Sequence, residues 1–233
     1  MLRFDTLERA GLRAGAISGR VDGDCVLGRA SEAARRGYLG GLGLDADRLV
    51  CPKQVHGAVV VTAATENAGQ GAFGPENAIA LADAIITDVP GLPIGITVAD
   101  CVPVALYDPV RGAIGLAHAG REGTVLQISA ATVRAMRDAY GCAPADLLAV
   151  VGPSAGPCCY EVSEELAAAF AVAGGPVRGR YLDLWGANVM QLTEAGLAEN
   201  KISATAVCTI CGSDFFSFRR DKTTARNLAV LCF

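Results

Sequence analysis

Between residues 83 and 119 four dense apolar runs follow one another, DAIITD, PIGITVAD, VPVALYD and GAIGLAHA, each bounded by Pro, Gly or Asp. Short β-branched-rich runs with such boundaries predict strands. LVCPKQVHGAVVVTAA at 49–64 predicts two more, joined by a turn at His56-Gly57. Further strands are expected in LLAVVG at 147–152, ISATAVCT at 202–209 and RNLAVLCF at 226–233. Helical spacing shows elsewhere. RASEAARRGYLGGLG at 29–43 carries Arg and Glu on one side, and Val125, Ile128, Val133 and Met136 recur through GTVLQISAATVRAMRDAYG at 123–141. SEELAAAFAVAGG at 163–175 predicts a helix with Ser163 as N-cap and Gly174 as its stop, and 184–196 predicts another, capped by Asp183. The polar, Gly-rich 65–80 reads as a loop, and CGSDFFSFRRDKTT at 211–224 as irregular.

Strands outnumber helices and do not alternate with them one for one. That excludes a doubly wound parallel fold and predicts an α+β protein, mixed β-sheets covered by helices. No composition break marks a linker, so residues 1–233 are expected to form a single domain.

Composition narrows the class. The 233 residues are 52% hydrophobic and 19% charged, as in a packed protein. A net charge of −4 and a pI near 5.2 exclude a generally basic nucleic-acid surface. The apolar runs are interrupted well before the ~20 residues that a spanning helix needs, so no membrane segment is expected. MLRFDTLERAGLRAG has no apolar signal region, and nine cysteines then predict reduced thiols in a cytoplasmic protein.

The chain has two histidines. VPVALYD and GAIGLAH are separated by Pro109-Val110-Arg111, which predicts an antiparallel hairpin pairing 101 with 119 and 102 with 118. Cys101 and His118 then meet at its open end, at a cross-strand separation of ~5 Å. A thiolate beside an imidazole serves either as two ligands of Zn²⁺ or as the nucleophile and base of a metal-independent amidase or deamidase. A zinc site needs a third ligand, and His56 is available from the KQVHG turn. A Cys at such a place is also often a small buried hydrophobe. Asp100, next to Cys101, is a candidate acid–base group.

At these residues the sequence resembles the laccase-domain family, long labelled multicopper polyphenol oxidases and now regarded as purine nucleoside phosphorylases. The resemblance is carried by KQVHG at 53–57, DAIITDVPGLPIGITVADCVPVALYDP at 83–109, GLAHAG at 115–120, VGPSAGPCCYEV at 151–162, DLWGAN at 183–188 and CTICGSDFFSFRRDKTTAR at 208–226. It implies a mixed β-sandwich with helices outside. It also implies a metal site of His56, Cys101 and His118 holding zinc, with copper accepted by the same donors. The implied activity is phosphorolysis of adenosine, inosine, guanosine and methylthioadenosine, with some adenosine deamination. The implied partners are purine nucleosides and phosphate. Two histidines cannot furnish a type-1 copper plus a trinuclear cluster, so multicopper oxidation is not expected.

Two departures stand out. The family follows HAG with Trp-Arg-Gly, whereas here Arg121-Glu122-Gly123 follows, and the family's N-terminal Gly-rich loop is reduced to GAISGRVDGDCVLG at 15–28. They leave a divergent, non-catalytic nucleotide-binding protein as an alternative.

Anion binding requires positive charge. Lys53 and Gln54 of KQVHG, Arg121 and Arg220 are the candidate substrate-binding residues, with Arg219, Lys222 and Arg226 in the same basic segment as Arg220. Against this stands an ordinary solvated loop. Cys208 and Cys211 make a lone CxxC that Cys158-Cys159 could in principle complete as a Cys₄ site; thiols lining the pocket or packed in the core are the reading favoured by sequence.

Overall fold

The computed structural model describes residues 1–233, the side chain of Arg29 excepted. In chain order the strands are Leu2–Arg3 (β1), Ala14–Ile17 (β2), Val60–Thr62 (β3), Ala84–Thr87 (β4), Ile94–Val98 (β5), Val102–Asp108 (β6), Ala113–Ala119 (β7), Leu148–Val151 (β8), Val177–Arg178 (β9), Tyr181–Leu182 (β10), Ile202–Ala204 (β11) and Asn227–Cys232 (β12). The helices are Asp5–Arg9 (α1), Glu32–Gly41 (α2), Arg121–Val125 (α3), Ile128–Tyr140 (α4), Glu164–Val172 (α5), Leu184–Glu194 (α6) and Phe218–Asp221 (α7). Among the described residues no helix is long and apolar enough to cross a membrane.

Two sheets stack. One is four-stranded and antiparallel, in the order β1-β2-β12-β5; the other is six-stranded and mixed, in the order β11-β8-β6-β7-β4-β3, parallel at both edges. The fold is therefore α+β, as the strand count predicts. Side chains sort by strand parity. Ala105, Tyr107, Ile114 and Leu116 meet Ile94, Ile96, Ala229 and Leu231 between the sheets. Their neighbours Val104, Leu106, Ala113 and Ala117 face the other way, under Val133 and Met136 of α4 and Leu184 and Leu192 of α6. Leu228 and Val230 of β12 pack beneath Tyr38 and Leu39 of α2. Burial on both faces is why these strands read as continuous apolar runs without polar alternation. Gly115 lets α4 approach β7, since a Cβ there would lie 2.8 Å from the Met136 sulfur.

Local differences from the sequence expectation have local causes. The hairpin pairs Val102 with Ala119 and Pro103 with His118, one residue out of the expected register. Gly112, at φ +63°, joins the turn and donates to Asp108 O at 2.9 Å, while Asp108 Oδ1 accepts the Val110 and Arg111 amides. The loop thus holds four residues instead of three. The expected helix over 123–141 is two helices, because Gln127 adopts a left-handed φ of +59°. Of the two strands expected in 49–64 only β3 forms; before it, Val50 and Lys53 make single bridges to Ile94 and Leu81. Ser163 and Asp183 cap α5 and α6 as expected, accepting from the amides of Leu166 and Gly186.

Candidate functional site

His56, Cys101 and His118 come from three segments and converge, with one ligand atom of each within 4.8 Å of the others. His118 sits at the end of β7, and β6 begins one residue after Cys101. Asp100 has φ +79°, which breaks strand alternation just before Cys101. His56 has φ +62° in the tight KQVHG turn. The two imidazoles lie edge to face, with ring centroids 4.8 Å apart. Gly120 closes the group: a Cβ there would lie 2.9 Å from the Cys101 sulfur.

Asp83 organises this cluster, and sequence reasoning missed it. Fully buried at the start of DAIITD, it lies one residue before β4. Its Oδ1 meets His118 Nδ1 at 2.8 Å and accepts the His56 amide at 2.9 Å; its Oδ2 accepts the amides of Gly57 at 2.7 Å and Val55 at 3.2 Å. Burial alone would raise the Asp83 pKa, but the bonds from His118 and these amides hold it below the ordinary carboxylate range. With Nδ1–H given to Asp83, His118 in its neutral form presents Nε2 as its electron-pair donor. The acidic residue that opens an apolar strand was the available signal.

Charges couple across the cluster. Burial would raise the Cys101 pKa, yet His118 and His56 draw it down to about 6. Burial would lower that of His118, yet the Cys101 thiolate and Asp83 raise it to about 9. His56 is also raised, chiefly by its hydrogen bond with Cys101. One thiolate and two imidazoles, one of them oriented by a carboxylate, form a donor set suited to zinc or copper.

The cluster opens into a cavity of about 530 Å³. Lys53, Arg121, Arg219 and Arg226 line it, and Tyr160, Phe218, Leu184, Val26 and Leu27 give it apolar surface. The remaining sequence candidates divide. Gln54 lines the cavity, but its amide is committed to Thr97, accepting from N and Oγ1 and donating to O. Asp100 lines it too, with Oδ1 bonded to Thr209 Oγ1 at 2.6 Å and Oδ2 to the Arg219 amide at 2.7 Å. Each oxygen keeps a second lone pair, so these bonds orient Asp100 without excluding it as an acid or base. Arg121 pairs with Glu122 at 2.9 Å.

Arg220 requires a correction. It does not line the cavity: its guanidinium donates to the carbonyls of Thr209, Gly212 and Phe215 and to both oxygens of Asp221, which occupies all five N–H donors. Its neighbour Arg219 takes the cavity position. It lies 4.7 Å over the Tyr160 ring and donates through Nη1 to Glu161 O.

Comparison with known proteins agrees in fold and sequence. A purine nucleoside phosphorylase of Streptomyces griseus is 38% identical over 192 residues, 79% of this chain and 74% of that one. The purine nucleoside phosphorylase YlmD of Geobacillus stearothermophilus is 35% identical over 209 residues, 84% of this chain and 76% of the relative. Its crystal structure superposes with a TM-score of 0.87, covering 94% of this chain and 91% of that one. The adenosine deaminase RL5 of an unknown prokaryotic organism is 34% identical over 190 residues, 77% of this chain and 72% of its own. Residues 28–233 match the family described as multi-copper polyphenol oxidoreductase laccase, and the chain belongs to that family.

Proposed function

We propose that this protein is a metal-dependent purine nucleoside phosphorylase acting on adenosine, inosine, guanosine and methylthioadenosine, with adenosine deamination as a secondary activity. One observation carries the reading: a single cavity joins the His56–Cys101–His118 cluster to four cationic side chains, in a chain whose net charge is −4. His56, Cys101 and His118 would hold zinc, whose chemistry when bound is that of a Lewis acid with an open coordination position.

The chain's own groups do the rest. Arg219 lines the cavity, with Nη1 donating to Glu161 O and its guanidinium lying over the Tyr160 ring. Its planar fork is suited to two phosphate oxygens. Lys53, Arg121 and Arg226 add positive charge around the same volume, which binds the anion and holds it against C1′ of the ribose. Tyr160 and Phe218 supply flat apolar surface for the purine. Phosphate displaces the base at C1′, so the C1′–N bond breaks as the C1′–O bond forms, and the purine leaves with the electron pair and takes up a proton. Residues 1–233 act as one catalytic unit in this reading, which fits a cytoplasmic enzyme on purine nucleosides.

Names of relatives support it: two similar proteins are called phosphorylases and one a deaminase. The test is chromatographic. Zinc-loaded protein with adenosine yields adenine and ribose 1-phosphate only when phosphate is present; adenosine left intact with phosphate refutes the reading. The thiolate of Cys101 beside the His118 imidazolium favours one rival, a metal-independent Cys–His amidase. Alkylation of Cys101 stops either enzyme, but metal removal stops only the phosphorylase.

A further inference from the structure

A second cysteine cluster stands apart from the His56–Cys101–His118 group. Cys158 and Cys159 lie in the loop between β8 and α5, and Cys208 and Cys211 in the loop after β11. These loops are brought together by the sheet: β8 and β11 pair in parallel, Val151 beside Ala204. The pairing continues past the strand ends, where Ser154 N donates to Val207 O at 3.1 Å and Thr209 N to Ser154 O at 2.9 Å. Each cysteine pair then sits on a tight turn, closed by Cys159 N to Gly156 O at 3.0 Å and by Gly212 N to Cys208 O at 3.2 Å. As a result all four sulfurs lie within 4.8 Å of one another, Cys211 being 3.3 Å from Cys158 and 3.0 Å from Cys159.

We propose that Cys158, Cys159, Cys208 and Cys211 form a second metal site, a structural Cys₄ site for zinc that fixes one wall of the cavity. Tetrahedral zinc with Zn–S bonds of ~2.3 Å separates its sulfurs by about 3.8 Å. The two closest separations, 3.3 and 3.0 Å, fall short of that value by less than 1 Å, and none of the four sulfurs is more than 4.8 Å from another, so adjustments of about 1 Å bring them round one ion. All four donors are cysteine sulfurs, soft ligands once metal binding removes their protons, and such ligands select zinc or iron over magnesium and calcium. Two residues between Cys208 and Cys211 is the ligand spacing of structural zinc knuckles, and four protein ligands leave no open position for catalysis.

The surroundings suit a thiolate cluster. Gly156 N donates to the Cys208 sulfur at 3.3 Å. Arg220 bonds the carbonyls of Thr209, within the CxxC turn, and of Gly212, just after it, so its positive charge sits beside the sulfurs. This accounts for an arginine that the cavity does not use. A disulfide fits less well, because Cys211 is the near neighbour of both Cys158 and Cys159. Tyr160 follows Cys159 directly and Arg219 stacks upon it, so an ion here would hold the cavity wall in place.

The decisive variant is Cys101→Ala, which leaves all four of these cysteines intact. Metal-stripped, reduced full-length protein is reloaded with zinc, dialysed and measured for metal per chain. Wild type retains two ions and Cys101→Ala retains one. The four cysteines of zinc-loaded Cys101→Ala resist alkylation, as read by mass spectrometry, and cobalt substitution gives it the charge-transfer spectrum of a tetrahedral tetrathiolate site. If Cys101→Ala retains no zinc, or its four thiols react equally fast with and without zinc, the proposal is overturned. One ion in both proteins would instead refute the His56–Cys101–His118 site while supporting this one.

Discussion

Asp83 holds His118 twice: the His118 amide donates to the Asp83 carbonyl at 2.7 Å, and Nδ1 meets Oδ1 at 2.8 Å. The same carboxylate takes three consecutive amides of the turn that presents His56. One buried side chain therefore positions both imidazoles.

Replacing it tests that arrangement. An Asp83→Asn side chain has one acceptor oxygen instead of two, so it leaves some of the four donors unmet. Loss of a buried acceptor costs about 1–3 kcal/mol. Loss of the partner that orients a ligating histidine typically costs about 10–100-fold in metal affinity. Chelator competition and denaturant unfolding measure the two effects separately. Unchanged metal affinity would show that Asp83 is structural only.

The metal-free protein has its own pH signature. Cys101 is lowered to about 6, so its thiolate contribution to stability is lost as pH falls through that value. His118 is raised to about 9, so its contribution is lost as pH rises through about 9. The thiolate contribution is complete only above the ordinary thiol value of 9.0, and the imidazolium contribution only below the ordinary imidazole value of 6.5, so across this range one grows as the other fades. Unfolding midpoints of stripped protein should therefore change little between pH 7 and 9, and a steep fall within that range would contradict the thiolate–imidazolium pairing. Alkylation of Cys101 should be half-maximal near pH 6.

Adjacent arginines should part company. Arg220→Ala removes charged hydrogen bonds to three carbonyls and lowers stability by about 2–4 kcal/mol. Arg219→Ala keeps most of the stability and raises the KM for phosphate at least about tenfold, the ~1.4 kcal/mol expected of one charged contact. Calorimetry and phosphate titration distinguish them. Equal effects on phosphate KM would contradict the placement of Arg219 alone at the cavity.

Glu122 is exposed and pairs with Arg121 at the cavity edge. Such pairs contribute about 0–1 kcal/mol to stability. Glu122→Ala should therefore leave the unfolding midpoint nearly unchanged while releasing Arg121 and lowering the KM for phosphate. A raised KM would mean that Glu122 assists binding.

Much of this architecture is legible in the residues. Strands β4 to β7 are almost wholly buried, and their unbroken apolar runs announce them. The two-residue strands β1, β9 and β10 are not announced, because so short a run carries no period and owes its pairing to its neighbours. The hairpin register turns on a single left-handed glycine, Gly112, which spacing could not weigh. Cys101, His118 and His56 were singled out because thiol and imidazole are rare, chemically distinctive groups. Asp83 is one of many acids, and nothing in its local sequence says that its carboxylate faces two histidines. Likewise a basic segment reads as a set of equal charges, and only the fold separates Arg219 in the cavity from Arg220 beneath the CxxC turn.

The most direct test of the central claim compares phosphate-dependent adenine release from adenosine by zinc-loaded wild type and Cys101→Ala, with metal content measured alongside. Wild type is expected to release adenine and ribose 1-phosphate, and the variant to fall at least about 100-fold, a loss of ~2.7 kcal/mol in transition-state stabilisation. A variant as active as wild type would contradict the assignment of chemistry to the His56–Cys101–His118 site.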